Sequence, residues 1–146
     1  MREFNIPAEI VKFANSMIGT DFVFGERDCV YIARKGWEIV TGRDILGDLI
    51  PEYSTREDAE AAYDRVGLIQ EQLASVGGYE IPLSRVVHGD LVFPEAPETD
   101  GFQNIGLVCG KNVLTTSVDE GTFMTYPKRL LVGLDGYIAY RVPTDG

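Results

Sequence analysis

The N-terminal part of the chain repeats its apolar residues at helical spacing. From Pro7 to Ile18, the residues Ile10, Phe13 and Met17 recur every three or four positions, and Gly19 follows them. A proline in the first turn and a glycine after the last turn are typical of helix ends. The pattern therefore predicts a first helix over Pro7–Ile18.

A second helix is predicted from Cys29 to about Val40. Asp28 occupies the position of an N-cap, and Thr41-Gly42 closes the segment. The apolar residues of this helix cover one broad face, which indicates that it is mostly buried. Trp37 lies on that face and is expected to fill the core.

Two further helices are predicted before residue 78. Ser54 and Glu57 have the spacing of a capping box, which opens a polar helix through about Arg65. Gly67 interrupts the pattern, and a shorter helix follows from Leu68 to Val76.

The second half of the chain changes to short β-prone runs separated by turns. The predicted strands are Asp90–Phe93, Ile105–Cys109, Val113–Thr116, Thr122–Tyr126 and Tyr137–Val142. Helices followed by strands with short connections indicate an α+β fold, with N-terminal helices packed on a C-terminal antiparallel sheet. We expect a single domain over residues 1–146, with a helical part at about 7–77 and a sheet part at about 88–142.

The net charge of the chain limits the kinds of partner that it can bind. The chain carries 23 acidic and 13 basic residues, a net charge of −10, which opposes binding to nucleic acid and to anionic lipid. No apolar run approaches the roughly 20 residues that span a bilayer, and the N-terminus lacks the apolar stretch of a signal peptide. We therefore expect no nucleic-acid partner, no membrane insertion and reduced thiols in a cytoplasm.

Cys29 is the residue whose position suggests chemistry. Free amides and the dipole at a helix N-terminus favour a thiolate, and Arg27 adds to this effect while Asp28 opposes it. A small buried side chain is the alternative, because free cysteine is among the most buried residue types. With two cysteines and one histidine in the chain, no metal site and no cofactor are predicted.

Three sequence segments, in this order along the chain, resemble motifs of a known family. They are Phe24-Gly25-Glu26-Arg27-Asp28-Cys29, His88-Gly89-Asp90-Leu91-Val92-Phe93 and Asn104-Ile105-Gly106-Leu107-Val108-Cys109-Gly110. The family that they resemble is a phage-associated branch of the NlpC-type, papain-like cysteine peptidases. The resemblance covers roughly residues 22–142 and implies a papain-like fold. It also implies that Cys29 is the position of the nucleophile.

The chain departs from this family at the general base. The position where active members carry histidine holds Asn104, which cannot accept a proton near neutral pH, and the family's third, orienting position falls near Thr115. His88 is the only histidine. An antiparallel pairing of its strand with the next would put it at the far end of the ladder from Asn104, on the order of 15 Å away.

Three functions stay open. The resemblance implies a structural protein of a bacteriophage tail tip on a catalytically degraded fold, made in the host cytoplasm, located in the virion tail and contacting hub and distal tail proteins. The alternative is an active cysteine hydrolase that cleaves peptidoglycan, with Cys29 as nucleophile and a base from His88 or a partner chain. A third is a muropeptide- or glycan-binding module that uses Phe24 in the same groove.

Overall fold

The structure, a computed structural model, describes residues 5–21, 29–47, 57, 68–96, 103–117 and 121–143. The side chains of Cys29 and Ser117 lie outside this description. So do two sequence predictions: the Asp28 cap of the second helix, and the polar helix after Ser54 apart from its helical residue Glu57.

The described helices agree with the sequence pattern to within one residue at most ends. They are α1 (Ile6–Met17), α2 (Cys29–Thr41) and α3 (Ile69–Ser75). Asn5 caps α1, because its side-chain oxygen accepts a hydrogen bond from the backbone amide of Ala8 at 3.2 Å. None of the helices in the described residues is long and apolar enough to cross a membrane.

The strands form a six-stranded sheet in which every paired neighbour is antiparallel, in the order β1-β6-β2-β3-β4-β5. They are β1 (Tyr79–Ile81), β2 (Leu91–Pro94), β3 (Gly106–Cys109), β4 (Asn112–Ser117), β5 (Thr122–Pro127) and β6 (Tyr137–Arg141). The predicted α+β class is confirmed. The sheet begins earlier than the predicted residue 88, because the three-residue strand β1 is too short to produce a visible alternation in the sequence.

The two faces of the sheet are covered differently. The helices bury one face in the main core, which includes Trp37, Leu91, Phe93, Leu107 and Leu114. Trp37 is fully buried, as predicted. A smaller cluster on the other face lies under two 3-10 segments, Leu83–Arg85 and Lys128–Gly133.

Two glycines set how closely α2 approaches the sheet. A Cβ on Gly36 would lie 2.5 Å from Cδ1 of Leu107 in β3, and a Cβ on Gly89 would lie 2.6 Å from Cγ2 of Val40. Gly89 also has φ +89°, which glycine tolerates best. Its amide donates to the carbonyl of Val108, so the C-terminal end of α2 lies toward the end of β3.

Gln103, a buried polar residue, joins α3 to the end of β2. Its Oε1 accepts from the amide of Ile69 at 2.8 Å, and its Nε2 donates to the carbonyl of Pro94 at 3.0 Å and to Oε1 of Gln70 at 2.7 Å. The bond to Ile69 satisfies one of the amides that a helix N-terminus leaves without a partner. The amide side chain therefore fixes the start of α3 against the sheet.

Asp90 forms a buried ion pair with Arg141, which links the start of β2 to the end of β6. Arg141 donates from Nε and Nη2 to its two carboxylate oxygens at 3.0 and 2.9 Å, and the amide of Val87 donates at 2.8 Å. The side chain of Asp90 is 2% exposed and that of Arg141 is 32% exposed. The hydrogen bond to Asp90 raises the pKa of Arg141, so the guanidinium stays charged.

We predict that Arg141→Met lowers the free energy of unfolding by about 3 kcal/mol, the lower end for breaking a buried pair, because it leaves the Asp90 carboxylate without its cation. Urea denaturation measures this loss. The control is Arg85→Met, a neighbouring exposed position, which should change stability by less than about 0.5 kcal/mol. Equal effects of the two substitutions would contradict the assignment.

Candidate functional site: the Asn104 end of the sheet

Asn104 is bound through both atoms of its side-chain amide to one residue of β4. Its Nδ2 donates to the carbonyl of Thr116 at 2.8 Å, and its Oδ1 accepts from the hydroxyl of the same residue at 2.9 Å. A carbonyl oxygen only accepts, so the orientation of the amide is fixed. Asn104 therefore clamps the segment before β3 to the end of β4.

Thr115 lies beside this clamp. Its Oγ1 is 3.5 Å from Nδ2 of Asn104, a long contact compared with the 2.8 Å bond to the carbonyl of Thr116. The structure thus brings together the two positions that the sequence assigned to the base and the orienter. In this arrangement the amide, and not an imidazole, is what Thr115 contacts.

Thr116 was not singled out from the sequence, although it makes the two short bonds to Asn104. It is 3% exposed and stands opposite Phe123 in the β4–β5 pair. Thr115 and Thr116 are adjacent in a β-prone run, and sequence alone does not say which of two neighbouring threonines faces a given partner. A buried hydroxyl needs a hydrogen-bond partner, and Asn104 provides it.

The direction of α2 carries its first turn toward this end of the sheet. Gly36 packs over Leu107, and Val40 packs on Gly89 beside Val108, so α2 advances from the Asn104 end toward the Cys109 end. The chain between α1 and α2 starts at the same end, since Asp21 bridges to Thr122 in β5.

Cys29 is the first residue of α2. Its backbone position at a helix N-terminus is the one predicted, and free amides there favour a thiolate. Its side chain lies outside the described residues, as do Arg27 and Asp28. The predicted nucleophile role of Cys29 therefore stays a prediction.

His88 lies at the opposite end of the β2–β3 pair from Asn104. Leu91 stands opposite Leu107, and the amide of Gly89 bonds to Val108, so His88 falls beyond Val108. At about 3.3 Å per strand residue, the four or more positions from Asn104 correspond to roughly 13 Å or more. His88 is thus not placed to accept a proton at the Asn104 end.

Cys109 is a buried thiol at the last position of β3. It is 4% exposed, and its Sγ lies 3.4 Å from the carbonyl of Asn112. Burial raises the pKa of the Cys109 thiol to about 11. At neutral pH this sulfur is protonated and behaves as a small apolar side chain.

A small cavity lies on the exposed side of α2. It is a cavity of about 240 Å³ lined by Tyr31, Arg34, Lys35, Glu38 and Asp44. Arg34 donates to Asp44 at 2.8 Å and Lys35 pairs with Glu38 at 3.3 Å, and the bond from Arg34 lowers the pKa of Asp44. These charges compensate one another, which is typical of a solvated helix surface.

The described groups at the Asn104 end provide hydrogen bonding but no proton acceptor near neutral pH. The amide of Asn104 and the buried hydroxyl of Thr116 are bonded to each other, so Thr115 is the one of these three residues whose hydroxyl has no short bond to the other two. Nowhere in the described segments do three or more His, Cys, Asp or Glu side chains gather in a way that could hold a metal ion.

We predict that Asn104→Asp lowers the free energy of unfolding by about 1–3 kcal/mol, because it turns the donor that faces the carbonyl of Thr116 into an acceptor. Chemical denaturation near neutral pH measures the loss. Thr115→Val is the matched control and should cost less than about 0.5 kcal/mol, since its contact is long. A larger loss in the control would show that Thr115, not Thr116, holds the amide.

We predict that Cys109 reacts slowly with iodoacetamide in the folded protein. A rise in pKa from 9.0 to about 11 lowers the thiolate fraction at pH 8 roughly 100-fold. The Cys29→Ala variant isolates this thiol, and mass spectrometry follows its alkylation with and without denaturant. Equal rates in the two conditions would contradict the burial of Cys109.

Comparisons with known proteins identify a family but no function. The chain matched none of the curated proteins and none of the solved structures. Residues 1–129 match the sequence model of a family described as a domain of unknown function, DUF6950. This match includes α1, Cys29, Asn104 and Thr115 and ends before β6. The chain therefore belongs to the DUF6950 family.

Proposed function

We propose that the chain is a non-catalytic structural component of a bacteriophage tail tip, built on a degraded NlpC-type, papain-like fold. The observation that carries the loss of catalysis is the clamp between Asn104 and Thr116. Asn104 stands at the position where active NlpC-type peptidases carry histidine. Its Nδ2 donates to the carbonyl of Thr116 at 2.8 Å, and its Oδ1 accepts from the hydroxyl of Thr116 at 2.9 Å.

The backbone arrangement supports the fold resemblance. The first turn of α2 points toward Asn104, and Thr115 is the neighbour of that residue. In an active cysteine peptidase the nucleophile, the base and the orienter meet in this way. Retention of the arrangement together with replacement of the base is what a degraded enzyme would display.

The tail-tip location rests on the sequence resemblance, which is to a phage-associated branch. The hub and distal tail proteins are the partners that this location implies. With a net charge of −10, most of the surface is suited to basic partners, and complementary charges would set orientation more than affinity.

The alternative is a cysteine hydrolase that acts on peptidoglycan. The free amides at the start of α2 would contribute to an oxyanion hole, and the base would have to come from another chain, because His88 lies at the other end of β3. The helix direction is the one observation that favours this candidate.

We predict that the purified chain releases no more soluble peptide from peptidoglycan than its Cys29→Ala variant does, because no described group near Asn104 can take up the thiol proton. Liquid chromatography of the digests measures release. Cleavage by the wild type that disappears in Cys29→Ala would establish the hydrolase instead.

The proposed location in the tail tip can be tested separately from catalysis. In purified virions of a phage that encodes this chain, mass spectrometry should find the chain in the tail fraction at a fixed ratio to the hub protein. Its absence from intact tails would contradict the tail-tip assignment without bearing on catalysis.

A further inference from the structure

The face of the sheet opposite the helices carries a patch whose charge is opposite to that of the chain as a whole. Its centre is the 3-10 segment Lys128–Gly133, where Leu131 is fully buried and anchors the segment on the sheet. We define the basic-aliphatic patch by six neighbouring residues: Val87, Lys111, Lys128, Arg129, Leu130 and Val132.

Backbone and side-chain contacts join these residues into one surface. The amide of Lys128 donates to the carbonyl of Lys111 at 2.8 Å, which places the start of the 3-10 segment beside the β3–β4 turn. The Nζ of Lys128 donates to the carbonyl of Val86 at 3.3 Å. This second bond places Val87, the next residue, at the border of the patch.

The aliphatic members of the patch are unusually exposed for their type. Val132 is 70% exposed, Leu130 is 50% exposed and Val87 is 44% exposed. They flank buried residues, Leu131 and Val86, that already hold both segments in the second core cluster. Their exposure is therefore not required to fix the 3-10 segment, and adjacent exposed apolar residues beside charges are typical of a binding surface.

The positive charge is only partly balanced locally. Residues 81–89, 103–117 and 121–134 contain no aspartate or glutamate, in a chain that has 23 acidic residues, and the exposed Asp135 directly follows Leu134. Asp90, next to the first segment, is buried and paired with Arg141. Within the described residues, no ion pair involves Lys111, Lys128 or Arg129.

We propose that the basic-aliphatic patch is the docking surface for an acidic protein partner, a segment with carboxylates around leucine-like side chains. Aliphatic side chains gain free energy by leaving water against apolar groups, and the lysines and arginine select carboxylates around them. Nucleic acid fits less well, because its phosphate backbone gives the exposed Leu130 and Val132 no aliphatic side chain to contact. An anionic bilayer fits less well, because its broad surface would also face the acidic remainder of a chain with a net charge of −10. The inference does not depend on whether the Cys29 groove is inactive.

The probe is a fluorescein-labelled peptide of about 20 residues built from Glu-Leu-Glu-Glu repeats, titrated with the full chain and followed by fluorescence anisotropy. Binding at physiological ionic strength is expected, and it should weaken as salt is added. The double substitution Lys128→Glu with Arg129→Glu should weaken binding at least tenfold. Leu130→Ser with Val132→Ser should weaken it severalfold at unchanged charge.

The control is Lys12→Glu, which reverses one positive charge at an exposed position on α1 and should leave the affinity within twofold. Circular dichroism checks that each variant is folded. Absence of peptide binding, or equal binding by the wild type and the Lys128/Arg129 variant, would overturn the proposal. Tighter binding to single-stranded DNA or to phosphatidylcholine vesicles with 30% phosphatidylglycerol would assign the patch to those ligands instead.

Discussion

The close contact between α2 and the sheet is the constraint on which the rest of the molecule depends. Gly36 lets the helix backbone approach the side chain of Leu107, and Gly89 leaves room for Val40. A side chain at either glycine would meet these neighbours well inside ordinary contact distance. Because the two contacts are made by Gly36 and Val40, which lie four residues apart along α2, they fix the position of the helix and also its direction. Its first turn is thereby aimed at the end of the sheet where Asn104 is clamped.

An amide and an imidazole at position 104 would have opposite consequences. A histidine exchanges a proton near neutral pH, whereas Asn104 only donates and accepts hydrogen bonds. Its two short bonds to Thr116 give it a structural task, which is to close the strand pair β3–β4. If an ancestral base stood here, its replacement exchanged proton transfer for a fixed connection between two strands. Stability and catalysis then compete for the same position, as they do at many active sites.

Much of the fold could be predicted from the sequence, because its helices and long strands have clear periodicity. The ends of α1, α2 and α3 were within one residue or so of the predictions. Strand β1 and the 3-10 segment Leu83–Arg85 were missed, since three-residue runs have no measurable period, and the six-residue 3-10 segment Lys128–Gly133 was missed as well. The proximity of Asn104 and Thr115 followed from the resemblance, but the dominant role of Thr116 did not. The buried bonds of Gln103 and Asp90 also depend on residues 33–51 positions away, which no local pattern encodes.

The sheet separates two kinds of surface, and this separation bears on the proposed structural role. One face of the sheet packs against α2 and includes the Asn104 end, where the resemblance places the catalytic cleft of the peptidases. The other face carries Lys128, Arg129 and the exposed Leu130 and Val132. A chain that is acidic overall and locally basic can orient itself between two partners of opposite charge. In the proposed structural role, the chain joins parts of an assembly through two distinguishable surfaces, and this role requires catalysis at neither of them.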